Sequence, residues 1–343
     1  MGFLFIDSRK TNKMNRRNFI QGTALTGLGV TINPFSSSAK RRKKESIRGT
    51  FSETNNKLAI YTKAKITPTR IFHITDTHLS IDDKRGDKYK EFSNRMASAY
   101  KVNHHFQTQE EITTKESFKT TLDLAKEQQV DFLALTGDIF SFPSEAAVEW
   151  VLQKLTDTGI PFAYISGNHD WHYEGMKGSD KQLRDTWTEK HLKPMYQGNN
   201  PLYATYKFNG VRYVCIDNST YEILPGQLSF FKEQVKSNEP LVLLMHIPLY
   251  IPGRPLGFGC ANPEWGAKSD KNFEIERREK WPEKGHTKTT FDFYDEVFNA
   301  QNLLTILAGH THHQTLDIKN GIPQFVSAHN ATGYYADIQI SSL

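Results

Sequence analysis

Thiols are scarce in this chain: 343 residues contain two cysteines, Cys215 and Cys260. Two cysteines cannot form the disulfide framework that staples small secreted domains. Stability must come from a packed core, for which the length is ample. Cys215 lies in the apolar run Val211 to Ile216 and reads as a core thiol. Cys260 lies in a loop-like stretch, so two unrelated thiols are expected rather than a bridge. No run of eighteen apolar residues occurs, which excludes an obvious spanning helix. No Gly-x-Ser-x-Gly occurs either, so no serine-nucleophile motif competes for a hydrolytic role. Internal repeats are absent. A basic face is absent too, although the net charge is +5. Residues 1–50 hold eleven Lys/Arg against two Asp/Glu, a charge of +9, so the other 293 residues carry −4. The body of the chain therefore has no strong nucleic-acid signature.

The basic excess belongs to a leader. Met14-Asn15-Arg16-Arg17-Asn18-Phe19-Ile20-Gln21 is followed by a weakly apolar run from Gly22 to Ile32, then Ser36-Ser37-Ser38-Ala39. A charged start, a short apolar stretch and a small-residue cut site predict an export signal over 1–39, with Met14 as an alternative start. The paired arginines resemble a twin-arginine signal, which implies a periplasmic or extracellular destination. The competing reading is a basic tail. Residues 40–65 are expected as a linker, and 66–343 as one domain.

Within that domain short apolar runs alternate with helix-like stretches. Arg70–Thr75, Phe132–Thr136, Phe162–Ser166, Leu241–Met245 and Leu303–Ala308 read as strands. Thr114–Gln129 has helical spacing, Ser144 is a good N-cap, and Pro225 suits the first turn of a helix to Val235. Asn209-Gly210 between two apolar runs predicts a hairpin, and Asn320-Gly321 marks another turn. Alternating strands and helices predict a layered α/β fold, and the hairpins predict mixed sheets. Residues 247–290 are rich in Gly, Pro, Trp and charge, with little periodicity. Such an insertion is expected to be functional, and to shape a substrate site.

Five polar clusters stand at the C-terminal ends of the apolar strands. They are Asp76-Thr77-His78, Gly137-Asp138, Gly167-Asn168-His169-Asp170, His246 and Gly309-His310-Thr311-His312. Ligand sites of α/β sheets lie beyond those strand ends. Each cluster alone is weak; five in order are not. Carboxylate, imidazole and amide oxygen suit Mn, Fe or Zn, and the lack of a thiolate argues against structural zinc. Seven ligand candidates exceed one open metal site and suit two ions that share a carboxylate, roughly 3.5–4 Å apart.

That ordered set resembles the calcineurin-like metallophosphoesterase superfamily, whose every signature element is present between residues 76 and 312. The resemblance implies an α-β-β-α sandwich of two mixed sheets, and hydrolysis of a small-molecule or macromolecular phosphate ester, monoester or diester, by hydroxide between two divalent or trivalent metals. It implies that Asp76, His78 and His312 hold one ion, Asn168, His246 and His310 hold the other, and Asp138 bridges them. It implies that His169 contacts the phosphate and stabilises the transition state or protonates the leaving oxygen. Asp170 would then orient His169. The contrasting class is a non-catalytic scaffold of the same fold, which is marked by lost ligands; none is lost here.

Several residues outside the set carry weaker expectations. His172 is close enough in sequence to reach substrate. Arg254 suits an extra phosphate or carboxylate and with Trp265 is a candidate substrate wall, whereas Trp171 and Tyr173 are candidate stacking surfaces. His73 reads as a satisfied sheet residue, and His104, His105 and His191 as surface residues on helices. His313 is expected to point away from His312. His329 is placed either in the site or in the scaffold around it.

Overall fold

The computed structural model describes residues 46–269 and 280–343, so the expected leader over 1–39 lies outside the described residues. Among these residues two six-stranded sheets form the centre of the domain. The strands in chain order are β1 (Arg48–Thr54), β2 (Lys57–Thr62), β3 (Thr69–Ile74), the short pair β4 (Asn103–His104) and β5 (Glu111–Ile112), β6 (Phe132–Leu135), β7 (Phe162–Tyr164), β8 (Tyr203–Phe208), β9 (Val211–Ile216), β10 (Leu241–Leu244), β11 (Leu303–Ala308), β12 (Thr315–Lys319), β13 (Ile322–Val326) and β14 (Ala336–Ser342). The first sheet runs β1-β2-β14-β3-β6-β7 and the second β12-β13-β11-β10-β9-β8. Both are mixed: β3, β6 and β7 are parallel, as are β9, β10, β11 and β13, while hairpins close three of the four edges.

Why the central strands are apolar throughout follows from their alternation. Phe132 and Ala134 face the second sheet, whereas Leu133 and Leu135 face helices. Val242 and Leu244 likewise face the first sheet, and Leu241 and Leu243 face the opposite helices. Side chains alternate across a strand, so a strand covered on both faces needs no polar position. One covering layer includes α1 (Lys90–Ala99), α2 (Thr114–Glu127), α3 (Glu145–Thr158) and α4 (Asp180–Trp187); the other includes α5 (Pro225–Lys236) and α6 (Lys288–Asn299). The expected α-β-β-α order is therefore observed. Thr113 caps α2 in a capping box with Glu116, Ser144 caps α3, and Gly159 ends α3 at φ 70°.

Three expectations need correction. Residues 48–62 are not linker: β1 and β2 form a hairpin, and β2 joins the first sheet through β14. The alternation Leu58, Ile60, Thr62 buries one face of β2, which flanking charge disguised in the sequence. His104 lies on the short strand β4 rather than on a helix. His191 is helical but partly buried, with Nδ1 against the Pro143 carbonyl. Cys215 and Cys260 are not joined in a disulfide, as expected, and both are buried. Among the described residues no helix is long and apolar enough to cross a membrane.

Candidate metal centre

The five clusters converge where the strand ends of the two sheets meet. The loop after β3 carries Asp76 and His78, the loop after β6 carries Asp138, and the loop after β7 carries Asn168 and His169. His246 follows β10, and His310 and His312 follow β11. Donor atoms of Asp76, His78 and His312 lie within 4.8 Å of one another, as do those of Asp138, His246 and His310, and those of His78, Asp138 and His169. Asp138 thus belongs to both sides of the cluster.

The loops bend sharply to achieve this. Asp76, His78, Asp138, His310 and His312 all have positive φ, between 51° and 70°. Such backbone costs about 1–3 kcal/mol for each non-glycine residue and persists only where the surroundings impose it. Backbone bonds between loops supply the constraint: Asp76 N–H donates to Gly137 O at 3.0 Å and His78 N–H to Asp138 O at 2.9 Å. Glycine is required where loops touch. A Cβ on Gly167 would collide with the Asp138 carboxylate, and one on Gly309 with Thr75 and the Asp76 carboxylate. Glycine at these positions lets the ligand loops approach each other.

Each carboxylate anchors one oxygen and presents the other. Asp76 Oδ2 accepts from His310 N–H at 2.9 Å and from the Thr75 hydroxyl at 2.7 Å, which ties the first sheet to the loop of the second. Asp76 Oδ1 faces His312 Nε2 at 3.3 Å. Asp138 Oδ1 accepts from His169 N–H at 2.8 Å, while Oδ2 lies 3.2 Å from His246 Nε2 and 4.0 Å from His78 Nε2. His246 Nε2 is also 3.2 Å from Asn168 Oδ1, and its Nδ1 is 2.8 Å from the Thr136 carbonyl. A carbonyl only accepts, so Nδ1 keeps a proton, and Nε2, which faces two oxygens, is the nitrogen whose proton a metal ion would displace.

This donor set fits metal ions. His78 Nε2 and His312 Nε2 face each other at 3.1 Å, an arrangement in which two ring nitrogens can share at most one proton. Positive charge between these groups removes the conflict. The electrostatics agree. Burial opposes charge on His246, yet Asp138 and Asp76 outweigh it and push its pKa up to about 10. Burial likewise opposes ionised Asp138, but His246 and His169 hold its carboxyl well below the usual range. For His78 burial wins, and the ring falls well below its ordinary value. Two buried carboxylates therefore make a centre that attracts cations.

Asp170 does a different job from the one expected. Its Oδ2 accepts from Asp138 N–H at 2.9 Å and Gly167 N–H at 2.7 Å, and its Oδ1 from Phe140 N–H at 2.8 Å. It clamps the loops after β6 and β7, so its hold on His169 runs through the backbone. Burial, then the Asp138 charge, push Asp170 up to about 7 despite those amides. Arg254 is not aimed at the site: Asp317 engages it at 2.9–3.1 Å, and it sits over the Phe258 ring. Trp171 and Tyr173 are core residues, with Trp171 Nε1–H donating to Ser219 Oγ at 2.8 Å. His172 is buried beside His169, ring centroids 5.3 Å apart. His73 is satisfied in the core by Thr136 and Ser327, and His313 is exposed, both as expected. His329 stacks on His312 at 5.0 Å, with ring planes 11° apart.

Sequence reasoning missed four supports. Asn218 Oδ1 accepts from His246 N–H and Ile247 N–H at 3.2 and 3.1 Å, and Tyr221 Oη is 2.8 Å from His310 Nε2. Asn330 accepts from the Thr77 hydroxyl at 3.0 Å, and Tyr100 stacks on His78 at 4.0 Å, planes 5° apart. Asn218 carried a signal, since it follows the apolar strand β9 as the ligands follow theirs. The insertion reaches the centre through Tyr221: Trp265 and Trp281 pack against that ring at 4.9 and 6.1 Å, and both are buried. Trp265 is thus part of a brace rather than a substrate wall.

Comparison with known proteins agrees with this geometry. A protein of Psychrobacter arcticus named "Probable cyclic nucleotide phosphodiesterase" is 23% identical over 206 residues, covering 58% of this chain and 63% of the relative. A similarly named protein of another Psychrobacter strain is 22% identical, covering 62% and 55%. The chain thus spans under two thirds of the length of these relatives. Among solved structures, a dimetal phosphatase from Danio rerio superposes with a TM-score of 0.51 at 10% identity, covering 79% of this chain and 91% of that one, a likeness of fold. The family model for calcineurin-like phosphoesterases matches residues 69–314, a span that includes all seven ligand candidates, and the chain belongs to that family.

Proposed function

We propose that this protein hydrolyses a phosphate ester at the junction of its two sheets. The carrying observation is Asp138, whose carboxylate reaches the donor sets on both sides. Asp76, His78 and His312 would hold one ion, Asn168, His246 and His310 the other, with Asp138 between them. Two such ions would supply an acidified water for attack on phosphorus and positive charge for the phosphoryl oxygens.

The chain itself supplies the remaining steps. Asp170 and Asn218 fix the loops, so the centre needs little rearrangement on binding. The new bond joins a water oxygen to phosphorus, and the bond to the ester oxygen breaks with its electron pair leaving on that oxygen. His169, at the edge of the centre, passes a proton to the departing oxygen and is reprotonated from solvent. Replacement of His169 by Asn should therefore cost little with a nitrophenyl ester, whose leaving group needs no proton, and much more with an alkyl ester. Equal losses with both would overturn this role.

The direct test is turnover of nitrophenyl phosphate and bis(nitrophenyl) phosphate by the manganese-loaded protein. Metal-dependent release of nitrophenol supports the reading. Two bound metals with no turnover across a broad ester panel would make the chain a scaffold. The names of the Psychrobacter relatives support including a cyclic nucleotide in that panel. The Arg16-Arg17 leader supports export, which cell fractionation of an Arg16→Lys/Arg17→Lys variant checks: loss of the exported form is expected.

A further inference from the structure

Beside the metal centre lies a cleft of about 380 Å³, larger than cavities of 220 and 130 Å³ elsewhere in the described residues. Small-molecule sites run from roughly 300 to 1,000 Å³, so this cleft accepts one compact organic group. Asn168 and His169 form its inner end. Met96, Ala99 and Tyr100, at the end of α1, line the cleft together with His172 and Glu174. The opposite flank of the centre is different: there Tyr221, Trp265 and Trp281 are packed ring on ring and buried.

We infer that this cleft, rather than the described part of the 247–290 insertion, selects the substrate, and that it takes the planar, uncharged organic group of a phosphate ester. The inference rests on the hydrolytic reading above and specifies its substrate class. Three observations carry it. The cleft opens onto His169, the residue proposed to protonate the leaving oxygen, so the departing group has space in that direction alone among the cavities described. Its sides are a thioether, a methyl group and two aromatic rings, which suit a flat face. Its charges cancel: Arg95 Nη1 and Glu174 Oε1 pair at 2.8 Å across the rim. With Arg95 paired to Glu174, the cleft away from His169 and the centre offers no unpaired lysine or arginine to a second phosphate or a carboxylate, which disfavours pyrophosphate-like substrates.

Phosphonates test this without depending on turnover, because their carbon–phosphorus bond is not hydrolysed. Calorimetric titration of the manganese-loaded full chain should show phenylphosphonate binding about tenfold tighter than methylphosphonate, the order expected for one desolvated planar contact. Phosphonoacetate, which adds a carboxylate instead of a ring, should bind no tighter than methylphosphonate. Ala99→Trp, an exposed position on the cleft side, should fill the cleft and erase the preference for the phenyl group. Its metal content should stay unchanged, which separates filling of the cleft from loss of the centre; Ser98→Trp is the second filling variant if Ala99→Trp does not fold. Equal affinities for the first two ligands, tighter binding of phosphonoacetate, or a phenyl preference that survives both variants would overturn the inference. Nitrophenyl ester turnover is measured in parallel. Preference without turnover of any ester in the broad panel leaves the cleft standing and sinks hydrolysis; turnover without preference does the reverse.

Discussion

The two sheets contribute unlike halves to one centre. Loops of the first sheet supply Asp76, His78, Asp138 and Asn168, which are mostly oxygen donors. Loops of the second supply His246, His310 and His312, which are all imidazoles. Neither half alone supplies the full ligand set of either proposed ion. Each ion candidate draws on both sheets, since His312 completes the pair Asp76 and His78, and Asp138 completes His246 and His310. The centre therefore exists only when the sheets pack in register, and the ties across them, such as His310 N–H to Asp76 Oδ2, carry information as well as stability.

The sharpest way to break the comparison is to remove the shared residue. Asp138→Ala should lower both metal occupancies and reduce ester hydrolysis more than about 10³-fold, the scale seen when a unit acting as a whole loses one member. Metal content by mass spectrometry, read beside the rate, checks both. Single-sided cuts should be asymmetric: His312→Ala should leave one ion per chain, and so should His246→Ala, but the retained ion should sit on the opposite side. A paramagnetic manganese spectrum that is the same for both variants would argue against two separate ion positions.

A subtler cut tests the insertion. Tyr221→Phe removes the hydroxyl at His310 Nε2 while keeping the ring against Trp265 and Trp281. Outer-shell partners of this kind are worth about 10–100-fold in metal affinity or activity. Metal titration should show one site weakened by that factor and the other unchanged, with activity recovering at saturating metal. The smallest effect is expected at Asp170. Asp170→Asn keeps the shape but weakens its hold on three amides, at a cost of about 1–3 kcal/mol in thermal unfolding.

Much of this was legible in the chain because strand and ligand signals coincide. A run such as Leu241–Leu244, apolar on both faces, announces a covered strand, and the histidine just beyond it announces the site. The fold followed from the same runs. What could not be read were contacts made between segments with no common pattern. Tyr100 follows a helix, so nothing in its neighbourhood predicts stacking on His78. Arg254 looked like an anion reader because its partner Asp317 is 63 positions away. Asp170 was placed next to His169 by sequence, whereas its oxygens turn back to the loop after β6. The β1–β2 hairpin escaped notice because only β14, at the far end of the sequence, gives it a sheet to join.

That last pairing has a consequence for synthesis. Lys57 pairs with Asp337, so an early hairpin waits for a strand translated 280 positions later. Until those residues leave the ribosome, β2 has no neighbour linking it to β3, and the first sheet stays divided. Contacts this distant in sequence close slowly. The nascent chain would carry its ligand loops from β3, β6 and β7 well before the sheet that braces them is whole, and assembly of the centre waits for β14 to emerge.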